Sequence, residues 1–188
     1  MYKRQSWFFF HDTGVLINFA LCGEMDLLEQ ILGQRGRWTG TVSIECERVG
    51  PKLSLPDLAT SSERILGEPI MPHDGEHQQI RSLRQLMAAP GDHQDEHLGE
   101  AETLTIIRSR QLKAVFVTED YNAHPFADGT RCIDTWQLLR VALKRGLTSR
   151  ENVRRFRAVL LDNGRISLRR KPEIFLEQRF EKWLASTG

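Results

Sequence analysis

The hydrophobic pattern changes period repeatedly along the chain, and each change predicts an element. Trp7 to Phe10 form an unbroken apolar run of strand length. It lacks the alternation of a strand with one wet face, so it predicts a strand buried on both sides. His11, Asp12, Thr13 and Gly14 interrupt the run, and Val15, Leu16 and Phe19 resume it at helical spacing. Gly23 ends that segment, and Met25, Leu28, Ile31 and Leu32 predict a second short helix with Asp26 near its start. Arg37–Thr41 predicts a short strand and Val42–Val49 a helix carrying Glu45. Residues 50–69, rich in Pro, Ser and Leu, read as an irregular connection, with Ile70 and Met71 as a very short strand.

In the second half, Ile80, Leu83, Leu86 and Met87 predict a helix from about Gly75, followed by the polar loop "AAPGDHQDEH". Leu98 opens a helix through about Arg110, and "KAVFVTED", Lys113–Asp120, is the second strong strand. Residues 121–130 read as a loop, Arg131–Ile133 as a strand, and Asp134–Arg145 as an amphipathic helix closed by Gly146. Two basic helices, about Ser149–Leu161 and Pro172–Leu184, flank an expected hairpin turn at Asn163-Gly164. Strands alternating with helices predict an α/β protein, a three-layer α/β/α sandwich with a short, mainly parallel central sheet.

Composition narrows the class. A chain of 188 residues with 40% hydrophobic positions can build one domain with a real core. No apolar run approaches the ~20 residues of a membrane span, and Lys3 and Arg4 precede too few apolar residues for a signal peptide. Cys22, Cys46 and Cys132 are far apart and include no Cys-x-x-Cys pair, which fits reduced thiols in the cytoplasm and removes a zinc ribbon. The net charge of +1 conceals an asymmetry: residues 1–139 hold 13 Lys+Arg against 20 Asp+Glu, and residues 140–188 hold 13 against 5. A basic tail on an acidic body is either a solvated helical face or a footprint for nucleic acid. For the second case, Arg154, Arg155, Arg157, Arg169 and Arg170 are expected on one face.

Candidate chemistry lies where strands end. In parallel sheets, ligands collect beyond the carboxyl ends of the strands, and Asp12 and Asp120 each follow an apolar strand directly. Two bare carboxylates at one edge repel, unless a divalent cation joins them or one keeps a proton. The alternative for Asp12 is a helix N-cap. Glu45 alone reads as a surface residue, and Glu100 and Glu102 as acids in a first helical turn that complement the helix dipole. Residues two apart do not share a helix face, so one of that pair is expected to reach a central site. His73-x3-His77 and His93-x3-His97 have helical spacing but no Glu or Cys partner, and are set aside as zinc ligands. His11 is read as packed or orienting rather than as a proton shuttle. Trp136, Trp183, Phe156, Phe175 and Phe180 are read as core.

The segments "FFFHDTGVLINFALCGEMDLLEQIL", "TVSIECERV", "LGEAETLTII", "KAVFVTED" and "DTWQLLRVALKRGLTS" occur in an order that resembles the PIN domain family. The likeness is to its VapC-like toxin ribonucleases and related bacterial PIN proteins, over about residues 6–149, with 150–188 as a basic helical extension packed on the same domain. The resemblance implies a PIN-like sandwich and an endoribonuclease dependent on Mg²⁺ or Mn²⁺. It further implies an RNA substrate and an antitoxin partner, and self-association as a homodimer stays open. Asp12 matches the family's first-strand Asp, Glu45 its second acid, Glu100 and Glu102 its third, and Asp120 the Asp after the last core strand. Asp12, Glu100, Glu102 and Asp120 are the implied metal ligands. Which Glu of the pair binds metal stays open, as does whether Asn122, Asp128 or neither adds a further polar group. A PIN fold without activity, serving as a binding or regulatory module, stays open beside the nuclease.

Overall fold

The computed structural model describes residues 7–93 and 95–187; Lys3, Arg4 and Ser6 lie outside the described residues. Strand β1 (Phe8–His11) is central because both its edges are used: β2 (Gly36–Arg37) pairs on one side and β3 (Ala114–Val117) on the other. Beyond β3 lies β4 (Arg131–Ile133), and all the pairings are parallel. The pleat sends Phe10, Ala114 and Phe116 into one apolar cluster, and Val115, Val117 and the partly buried Phe9 into the other. With both faces covered, every position of the run can be apolar, which explains its lack of alternation.

Helices α1 (Thr13–Leu21), α2 (Met25–Leu32), α3 (Gly40–Val49) and α4 (Leu58–Leu66) contribute to the first cluster. Helices α5 (His77–Met87) and α6 (Leu98–Ser109) contribute to the second, on the opposite face. The fold is therefore an α/β three-layer sandwich with a parallel sheet. The chain runs outward from β1 to β2, then crosses to β3 and runs outward to β4. The order thus reverses between β1 and β3, and the crevice at the carboxyl ends of those two strands is where ligand sites form in such sheets. No helix among the described residues is long and apolar enough to cross a membrane.

The C-terminal segment shares this core. Helices α7 (Thr135–Lys144), α8 (Arg150–Asp162), α9 (Pro172–Phe175) and α10 (Glu177–Ala185) bury Trp136, Phe156 and Phe180 against one another, edge to face. Trp183 is partly buried and stacks on Phe180, whereas Phe175 is 36% exposed.

Several elements differ from the sequence expectation. Residues 50–69 contain α4, whose Leu58, Ile65 and Leu66 are buried; Pro51 and Pro56 before the helix and Pro69 after it mask its short periodicity. The segment at Ile70 is a single bridge to Thr39. The last helix breaks at Leu176 into α9 and α10. Asn163-Gly164 does not turn a hairpin. Gly164, at φ +65°, closes α8: its amide donates to Leu161 O and that of Arg165 to Leu160 O. This is the paired 6→1 and 5→2 pattern of a helix C-terminus, where glycine tolerates the left-handed backbone.

One ion pair ties the second helical layer together. Glu76, buried at the entrance to α5, accepts from Arg110 Nε at 3.0 Å and Nη2 at 2.7 Å, from the His73 amide at 2.7 Å, and from Ser109 Oγ. The Arg110 guanidinium first of all holds the Glu76 carboxyl down at about 2. Its stabilising contribution is complete above the ordinary carboxylate range and is lost as pH falls towards about 2. Glu76→Gln is expected to cost about 2 kcal/mol at neutral pH, less than for a fully buried pair because Arg110 keeps some access to water. Urea unfolding checks this, and the gap between wild type and variant should narrow below the ordinary carboxylate range and close only as the pH approaches about 2.

Candidate metal centre

The carboxyl end of β1 delivers Asp12 into the crevice, and its amide donates to Val117 O of β3 at 2.9 Å. Asp12 occupies the cap position of α1 with extended backbone, yet its side chain makes no capping bond. It crosses the crevice instead and accepts from Thr118 Oγ1 at 3.2 Å. Gly14 permits this crowding: a Cβ there would stand 3.3 Å from Asp12 Oδ2 and 3.6 Å from Arg165 Nη2.

Two further acids converge from other elements. Glu45 projects from α3, where Thr13 Oγ1 donates to it. It lies so close to the first turn of α6 that a Cβ on Gly99 would meet its Oε1 at 3.1 Å. Glu100, one residue later, brings a carboxylate oxygen within 4.8 Å of one of Asp120 and is close enough to Asp12 to act on it electrostatically. Burial, then Glu100 and Glu45, push the Asp12 carboxyl well above its usual range, against the hydrogen bond from Thr118. Burial also raises Glu45, opposed by Thr13 and reinforced by Glu100. Glu100 is raised by burial and Asp120, against its own backbone amide and His97. Charge crowding of this kind marks functional crevices and favours a bound cation.

Glu102 has a different place. Its carboxylate accepts from the Thr41 amide at 2.8 Å and from Thr41 Oγ1 at 2.7 Å, so it caps the start of α3. Of the Glu100 and Glu102 pair, Glu100 is the one near Asp12 and Asp120, while Glu102 holds the helix that carries Glu45. Asp120 uses Oδ1 to accept from the Asn122 amide at 2.9 Å, and its Oδ2 lies 3.3 Å from His97 Nδ1. Asp128 lies by Arg108 at 3.5 Å, and Asn122 reaches Asp120 through its backbone amide.

His97 went unrecognised by spacing arguments that weighed it only as a zinc partner of His93. It stands at the N-terminus of α6 with φ +63°, a conformation that costs a non-glycine residue about 1–2 kcal/mol. Its Nε2 lies 3.3 Å from Asp92 Oδ2 while Nδ1 faces Asp120. One donor atom from each of His97, Glu100 and Asp120 lies within 4.8 Å of the others. The sequence signal was there in "HLGE": an imidazole three residues before a first-turn acid shares its helix face. Arg165 was also missed. It donates from Nε to Asn18 Oδ1 at 2.9 Å and from Nη2 to Gly14 O at 3.0 Å, partners that no local pattern connects with it.

Among the described residues, the cysteine and histidine beside the crevice are not activated as nucleophiles. Burial first, then Glu45 and Asp12, push the Cys46 thiol up to about 12. His11 is fully buried with Nδ1 3.0 Å from Phe9 O, and burial lowers it to about 4, so it is a packed neutral ring. Hard carboxylate oxygens with one imidazole suit Mg²⁺ or Mn²⁺.

The arginines expected on one basic face are dispersed. Arg154 pairs with Glu181 of α10 at 2.7 Å and Arg155 with Glu24 before α2. Arg157 is buried, donating to Ile174 O at 2.6 Å and Phe175 O at 2.7 Å with its guanidinium over Phe180. It fastens the tail and is not exposed to a strand of RNA. The helical period turns these three residues to different neighbours. Arg169 and Arg170, beyond α8, are exposed and make no ion pair among the described residues.

No family model matches the chain, and neither does any curated protein or solved structure.

A group raised by burial and like charges contributes stability below its unfolded pKa and loses it as pH rises through the folded value. Without metal, Asp12 therefore costs stability at neutral pH. Asp12→Asn is expected to raise the stability of the metal-free protein at neutral pH, because it removes a buried carboxylate from beside Glu100 and Glu45. Chemical denaturation in chelator checks this, and added Mn²⁺ should raise the melting temperature of wild type more than that of the variant.

Proposed function

We propose that the protein is a metal-dependent endoribonuclease that hydrolyses RNA phosphodiesters, acting as the toxin of a toxin–antitoxin pair and restrained by an antitoxin protein. The observation that carries the reading is the convergence of Asp12, Glu45, Glu100 and Asp120 from four separate elements on the β1/β3 crevice. The order of PIN-like motifs supplies the substrate class. Asp12, Glu100 and Asp120, with His97 beside them, are the residues that would hold Mg²⁺ or Mn²⁺. Such an ion supplies a Lewis acid that lowers the pKa of a water and offsets charge on phosphoryl oxygens. Thr118 and Thr13 fix the orientations of Asp12 and Glu45, and Glu45 borders the cleft as an acceptor for a water proton.

A second reading, a PIN fold used only for binding, has one observation in its favour. His97 Nε2 lies 3.3 Å from Asp92 and Nδ1 already faces Asp120 at 3.3 Å, so one oxygen of that carboxylate has a partner within the chain.

Cleavage of single-stranded RNA separates the two. Purified protein is expected to cut with Mg²⁺ or Mn²⁺ and to stop in chelator. Asp12→Asn should lower the rate at least about 100-fold, since several kcal/mol of transition-state stabilisation rest on the ion it helps to hold. Metal binding seen by calorimetry without any cleavage would leave the binding module standing and remove the nuclease.

A further inference from the structure

A second cleft of about 310 Å³ opens beside the acidic one, lined by Glu119, Tyr121, Gly164, Arg165, Ser167, Arg170 and Lys171. Its composition is opposite in sign. Arg165, Arg170 and Lys171 bring three cations. Glu119 and Asp134 offset two of them, Asp134 through its ion pair with Lys171. Neither carboxylate is uncommitted: Glu119 Oε1 accepts from the Thr135 amide at 2.9 Å, and Asp134 Oδ1 from the Gln137 amide at 2.8 Å.

Two of the cations are held in place by hydrogen bonds. Lys171 is buried, with its ammonium bonded to both Asp134 and the Tyr121 hydroxyl. Arg165 is brought in by the glycine turn that ends α8 and is pinned by Asn18 and Gly14. Arg170 follows a second turn, where its amide donates to Ser167 Oγ at 3.2 Å. Its side chain makes no ion pair among the described residues, so this guanidinium keeps its donors for a ligand. Guanidinium forks joined by an ammonium and hydroxyls match an oxyanion with several acceptor oxygens, and above all a phosphate.

The position of the cleft selects the source. Asp12 Oδ2 and Arg165 Nη2 both lie within 3.6 Å of the point where a Gly14 Cβ would stand, so the two clefts meet at that glycine. We propose that the Arg165–Arg170–Lys171 cleft binds a phosphate group of the same nucleic-acid strand that lies across the acidic crevice, one step along its backbone. This deepens the nuclease reading and rests on it for the identity of the strand. It replaces the α8 arginines as the place where the basic tail meets RNA.

Binding in chelator tests the cleft independently of cleavage. A short fluorescent oligouridylate is titrated into wild type, Arg170→Ala and Arg170→Lys between about 50 and 200 mM salt. Arg170→Ala is expected to weaken binding several-fold to about tenfold and to lower the salt slope by about one unit, the signature of one lost phosphate contact. Arg170→Lys should recover the slope, because it keeps the charge. Arg154→Ala, whose partner is Glu181, should bind as wild type. A wild-type preference for 5′-phosphorylated over 5′-hydroxyl strand, lost in Arg170→Ala, identifies a terminal monophosphate. Equal binding of the two strands identifies an internal phosphodiester. Unchanged affinity and slope in Arg170→Ala overturn the proposal even if the protein cuts RNA, whereas a lost slope without cleavage keeps the cleft and removes the nuclease.

Discussion

Carboxylates held side by side away from water repel one another and cost folding free energy, and this chain gathers Asp12, Glu45, Glu100 and Asp120 at one end of its sheet. Much of the surrounding structure serves to keep them there. The parallel pairing of β1 with β3 brings the Asp12 and Asp120 segments to one edge, and both faces of the sheet must be covered to hold that pairing. Thr118 fastens Asp12 across the crevice, Thr13 fastens Glu45, and Glu102 seats α3 by binding Thr41 at two points. Gly14 and Gly99 remove the Cβ atoms that would otherwise press against Asp12 and Glu45. A scaffold so occupied with holding like charges together makes sense if the charge is used.

The parts of this arrangement legible in the sequence are those carried by local pattern. Non-alternating apolar runs gave away β1 and β3, and the polar residues straight after them gave away Asp12 and Asp120, because strand-end position is a one-dimensional property. Most helices were visible through their spacing. What stayed hidden depends on pairs far apart in the chain. Whether Asp12 caps α1 or crosses to Thr118 is decided 106 residues away. Which of Glu100 and Glu102 faces the crevice is decided by Thr41, 61 residues earlier. The Asn163-Gly164 turn was misread for a related reason: Asn-Gly serves a hairpin or a helix end equally well, and the choice belongs to the following residues, which carry Arg165 back to Gly14. Helix α4 escaped because its apolar positions are few and the preceding prolines dominate the composition.

The basic tail is best understood against the same constraint. A cation near Asp12 would lower the cost of the acidic cluster, and the most economical solution would be a direct ion pair. Arg165 is close enough to act on Asp12 electrostatically, but hydrogen bonds to Asn18 and Gly14 hold its guanidinium beside the crevice rather than within it. Lys171 is likewise committed to Asp134 and Tyr121. Lys171 is thus neutralised within its own cleft, and Arg165 is kept from pairing directly with Asp12. An anionic strand meeting only the acids would be repelled, and one meeting only the cations would be held away from them. If one anionic backbone spans both clefts, their meeting at Gly14 requires the tail to belong to the same core as the sheet, as Phe156, Ile174 and Phe180 make it.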